Sequence, residues 1–170
     1  MDIAFALGEG KRGAIARSTE VAHHIKEHPE EFELLLSLLS SENEVCVSHA
    51  AHALQTLGKI SPELVTGGSQ SICDALVEQN QWELTEAFSK LLPILHISEA
   101  EAERACSVLY TRFCDERGSL ARTWAMQALV DMAEKYPQHQ QKAEDALLAA
   151  LETGSKAMQA RARKLLLHQR

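Results

Sequence analysis

Apolar residues recur three and four positions apart along most of the chain, the spacing that places side chains on one face of an α-helix. The stretch from Val45 to Pro62, VCVSHAAHALQTLGKISP, shows it most fully, and RTWAMQALVDMAEKYP from Arg122 to Pro137 repeats it. Superposition sets Ala50 on Ala125, Ala53 on Ala128, Leu54 on Leu129, Leu57 on Met132, Gly58 on Ala133 and Pro62 on Pro137. A proline just past such a helix suits the first position of the next, where its missing N–H costs nothing. Weaker copies flank these two: Arg17, Val21, Ile25 and Pro29 lie 33 residues before their counterparts, and Ala87, Leu91 and Leu95 lie 37 after Ala50, Leu54 and Gly58. Ala162 and Leu166 follow Ala125 and Leu129 by 37. The pattern predicts an all-α domain of about five helical pairs, in units near 1–28, 29–60, 61–97, 98–136 and 137–170.

Local signals mark the boundaries. Ile3, Phe5 and Leu7 form a short first helix closed by the glycines from Gly8 to Gly13, and a second helix is expected from about Lys11 to Glu27. Ser41 with Glu44 and Ser98 with Glu101 have the spacing of a capping box, in which each residue satisfies a backbone N–H near the other. Ser61, Ser69, Ser119 and Ser155 are expected to begin helices as well. Pro93 should kink or end the helix around Trp82 to His96, since it removes a hydrogen bond and crowds the preceding turn. Gly154 is placed as a left-handed cap at a helix end.

Composition agrees with this reading. The chain is 45% hydrophobic and 24% charged, as in a globular domain, and its few aromatics leave alanine and leucine to favour helix over strand. The net charge of −7 argues against a general nucleic-acid binder, which must neutralise phosphates. No apolar run is long enough to span a membrane, and the N-terminus lacks a basic leader, so a cytoplasmic protein is expected. Cys46, Cys73, Cys106 and Cys114 show no CxxC spacing and read as reduced, buried thiols.

A two-helix unit of this length cannot bury its apolar face alone and must stack on its neighbours. The alternation of an outer helix, a tight turn and an inner helix rich in alanine and leucine resembles HEAT repeats. The tetratricopeptide repeat is the second choice, because this chain keeps neither its even period of about 34 residues nor its tryptophan-containing signature. The HEAT resemblance implies a right-handed α-solenoid whose second helices line a concave face, acting as a non-catalytic scaffold for a protein segment.

With Ala50 set toward the core and about 100° advanced per residue, three rows of side chains cross that face. They read Ala16, His49, Glu86, Trp124 and Arg161; Thr19, His52, Ser89, Gln127 and Lys164; and His23, Thr56, Pro93, Asp131 and His168. The expected partner-binding residues are His49, His52, Glu86, Ser89, Trp124, Gln127, Asp131, Arg161 and Lys164. Trp124 is either an exposed anchor of the kind that dominates interfaces or packing between helices.

No catalytic residues, metal or cofactor are expected. Cys46, His49 and His52 share a helix, but the cysteine faces the core and no fourth ligand is evident. No nucleophile–base pattern or glycine-rich phosphate loop stands out, and Glu99, Glu101 and Glu103 suit the first turn of a helix. The last segment is basic, from Lys156 to Arg170, and Trp124, Asp131 and Arg161 faintly echo the groove of HEAT-like DNA glycosylases. A nucleic-acid-binding or glycosylase-type protein and a helper subunit of an enzyme are therefore the alternatives. Leu165 or Leu167 on the last helix could mediate self-association.

Overall fold

In the computed structural model, which describes residues 1–115 and 118–168 except for the side chain of His168, the described residues are helical with no strand. Eleven α-helices run in order: α1 Ile3–Gly8, α2 Ser18–Glu27, α3 Phe32–Ser37, α4 Glu44–Ile60, α5 Pro62–Thr66, α6 Ser69–Glu78, α7 Trp82–Leu91, α8 Glu99–Asp115, α9 Ser119–Lys135, α10 Gln140–Thr153 and α11 Lys156–His168. Short 3-10 turns at Pro29–Glu31, Leu38–Ser40, Leu92–Ile94 and Pro137–His139 join several of them.

Two successions of contacts organise these helices. Helix α2 packs on α4, α4 on α7, α7 on α9 and α9 on α11; separately, α6 packs on α8 and α8 on α10. The two series meet where α9 touches both α8 and α10. One cluster of buried apolar side chains runs from Ile3 to Leu165 through every long helix. Ala50, Leu54, Ala125 and Leu129 are all fully buried, as the superposed pattern requires. Alanines on facing helices let the backbones approach, while each leucine removed from water contributes about 2 kcal/mol.

The prolines act where their chemistry predicts. Pro29, Pro62 and Pro137 each open a helical turn, and Pro93 ends α7 at Leu91, leaving only a 3-10 turn beyond it. Ser98 and Glu101 form a reciprocal box at the start of α8: Ser98 N donates to Glu101 Oε2 at 2.7 Å and Glu101 N to Ser98 Oγ at 3.2 Å. Ser155 Oγ accepts from Met158 N at the start of α11.

Other caps differ. Asn43, not Ser41, caps α4, accepting from Val45 N and Cys46 N, because it directly precedes the first helical residue, while Ser41 Oγ accepts from Asn43 N instead. Ser61 Oγ donates to Glu63, Ser69 Oγ to Glu101, and Ser119 Oγ pairs with Ser155 Oγ, so none caps its own helix. Gly154 is extended (φ −72°, ψ 160°) and not left-handed; glycine is required there because a Cβ would lie 2.3 Å from the Ala150 carbonyl oxygen.

The largest departure lies between Lys11 and Arg17. The expected helix starts only at Ser18, because Gly10, Gly13 and Ala16 take positive φ and break the helical path. Residues 9–17 form instead an irregular strap over α4 and α7.

Candidate functional site

Side chains of α7, α9 and α11 meet along one half-buried polar line. Glu86 and Lys90 are one turn apart on α7 and pair at 2.5 Å. The ammonium of Lys90 lies 4.3 Å from the centre of the Trp124 ring on α9, and the Arg161 guanidinium of α11 lies 5.3 Å from it. Two cations thus clasp one indole, an electrostatic attraction to its ring quadrupole that strengthens as water is excluded. Arg161 also donates to Gln127 Oε1 at 3.1 Å, and Gln127 Nε2 donates to Asp131 Oδ1 at 2.7 Å. Trp124 is therefore both packed and partly exposed.

Beyond this line, Gln127, Val130, Asp131 and Glu134 of α9 face Arg161, Lys164 and Leu165 of α11 across a cleft of about 270 Å³. Acids lie on one wall, bases on the other, and Val130 and Leu165 supply apolar surface. Burial pushes the Asp131 carboxyl up, opposed by the hydrogen bond from Gln127; the charge of Glu134 adds to the rise and Arg161 resists it. On α4, half-buried His52 is pushed down by desolvation, which the charge of Glu86 partly offsets.

Of the nine expected residues, Glu86, Trp124, Gln127, Asp131 and Arg161 join this site, Lys164 lines its cleft, and His52 lies partly exposed on α4. His49 and Ser89 do not face a groove, since both are buried. The His49 ring lies under the strap, with Nδ1 2.9 Å from the Leu7 carbonyl oxygen and Nε2 3.1 Å from that of Lys11. Ser89 is closed in among the helices, and its hydroxyl has no partner among the described residues. His168, expected in the third row, has a side chain outside the described residues.

Lys90 was not foreseen, because it stands 37 residues after Ala53 and 38 before Ala128, a position the repeat assigns to the core. Its i,i+4 spacing from Glu86 was the available signal. Cys46, His49 and His52 do not converge as ligands: Cys46 is buried and both His49 nitrogens face carbonyls. Among the described residues, His28, Glu30 and Glu31 bring ligand atoms within 4.8 Å of one another at the exposed turn after α2. Cys114 is exposed, unlike the other three cysteines, and so departs from the expected buried set. Leu167 is 71% exposed on α11 while Leu165 is buried. No helix among the described residues is long and apolar enough to cross a membrane.

Comparison of the chain with protein-family models, with curated proteins and with solved structures finds no significant match.

Proposed function

We propose that the chain is a HEAT-like, right-handed α-solenoid that acts as a non-catalytic adaptor, binding a protein segment along α7, α9 and α11. The observation that carries this reading is Trp124 held between Lys90 and Arg161 beside an open cleft of mixed charge. An indole fixed in this way offers a large, rigid contact area at small entropic cost. Acids and bases on opposite walls suit a polypeptide bearing both charges and the dipoles of its own backbone. They suit a phosphate chain poorly, because Lys90 is engaged by Glu86 and Arg161 by Gln127. The succession of α2, α4, α7, α9 and α11 supports the solenoid arrangement. Exposed Leu167 supports a secondary contact between copies.

The test is selection of binders from a displayed library of random protein segments, followed by titration against wild type and Trp124→Ala. A loss of about 2 kcal/mol, or some 30-fold in Kd, is expected for a hot-spot tryptophan. Unchanged affinity with a lower melting temperature would show Trp124 to be packing alone. Tight binding of duplex DNA that falls steeply with salt would replace the adaptor reading with the nucleic-acid one.

A further inference from the structure

Three buried polar side chains of α4 and α7 lie where residues 9–17 cross these helices. Ser48 and His49 of α4 are fully buried and Glu83 of α7 is 1% exposed, yet the segment over them, residues 9–17, contains no buried residue of its own. Its hold is polar. Arg12 Nε donates to Glu83 Oε1 at 2.7 Å and the same guanidinium reaches Glu44. Gly13 N donates to Ser48 Oγ at 3.2 Å, and the Lys11 carbonyl lies 3.1 Å from His49 Nε2, whose Nδ1 faces the Leu7 carbonyl of α1. Gly13, at φ +80°, lies so close to Trp82 that a Cβ would stand 3.4 Å from the indole ring.

This fit is incomplete. Glu83 Oε2 is buried and accepts from no donor among the described residues, because Arg12 divides its guanidinium between two carboxylates. Ala16 holds φ +44°, a strained value for a residue with a Cβ. Ile15, the largest apolar side chain of the strap, is 62% exposed. A segment held by polar contacts, with no apolar burial, belongs to the least stable parts of a fold.

We infer that residues 9–17 are an internal pseudo-ligand covering a second recognition site, centred on Glu83 and Trp82, that takes an arginine-bearing protein segment. A guanidinium presented end-on can engage both oxygens of a carboxylate in a planar fork. An incoming arginine that does so satisfies the oxygen Arg12 leaves idle. Glu83 and Glu44 supply the complementary charge, and the Trp82 ring, 38% exposed, offers a face for the arginine plane. The strap competes as a tethered occupant at an effective concentration on the order of millimolar, so it masks the site from weak encounters. The proposal rests on the adaptor reading and adds to it a self-masked anchor for arginine.

The probe is a synthetic peptide of residues 9–16, whose one arginine copies Arg12, titrated by calorimetry against full-length wild type and Arg12→Ala. Arg12→Ala should bind it at least tenfold more tightly than wild type, and the peptide carrying Arg12→Lys should lose that gain. A folded Arg12→Ala that binds no better than wild type overturns the proposal. Amide hydrogen exchange on the wild-type chain gives a readout that no variant can spoil. Amides of residues 9–17 exchanging at least a hundredfold faster than those of α4 support a displaceable strap; exchange only at the rate of global unfolding overturns it. Segment binding that depends on Trp124 while Arg12→Ala changes nothing leaves the adaptor reading standing and removes this one alone.

Discussion

His139 closes the turn before α10 with its ring 1% exposed, Nδ1 3.4 Å from Glu103 and Nε2 without a partner among the described residues. Burial pushes its pKa down; the Glu103 carboxylate opposes the shift and Lys142 assists it. The folded pKa therefore lies below the unfolded value of about 6.5, and folding favours the neutral ring. The stability this contributes is complete above about pH 6.5 and is lost as acidification reaches the folded pKa. His52 is shifted the same way and adds to the loss, whereas protonation of Asp131, shifted upward by burial, favours the fold. We predict a lower urea midpoint at pH 5.5 than at 7.5, with the difference reduced in His139→Gln. An identical difference in that variant would show that His139 does not titrate on unfolding. At this scale the sequence was readable where a side chain had one neighbour type, as for Leu54, and misleading where a distant segment intervened. His49 has the spacing of a groove residue, yet its ring is covered by the Leu7 carbonyl of α1 and the Lys11 carbonyl of the strap.

Among the helices, α4 and α9 carry the most buried side chains at the centre of the core. Leu54→Ala and Leu129→Ala should each cost roughly 2 to 5 kcal/mol through the cavities they leave, read as a fall in denaturant midpoint at unchanged slope. A loss below about 1 kcal/mol would contradict their full burial. The caps supply a finer contrast. Ser98→Ala should destabilise by about 1 kcal/mol because both halves of its box are made, while Ser119→Ala should change little because its hydroxyl meets only Ser155. Helix positions were legible because a period near 3.6 persists for several turns in each. The strap was not: Lys11 to Arg17 extends the apolar spacing of α2 backwards, and nothing local announces that Ala16 turns left-handed. Likewise Asn43 displaces Ser41 as a cap through geometry that two equally good capping residues cannot reveal in advance.

For the molecule as a whole, the spacing of apolar residues predicts an all-α chain, and the described residues are helical with no strand. What that spacing does not encode is contact between helices: the clasp on Trp124 draws Lys90 from a position the sequence pattern reserves for alanine. Such contacts depend on side-chain reach. Cys46, Cys73 and Cys106 are sealed in the interior, the last two with thiols pushed up to about 12, and Cys114 alone is exposed, near the end of α8. Only thiolates alkylate readily, so a maleimide dye added at neutral pH should give a single adduct by intact mass, mapping to Cys114. The unaltered chain thereby brings its own attachment point for a fluorophore, on a helix outside the tryptophan clasp.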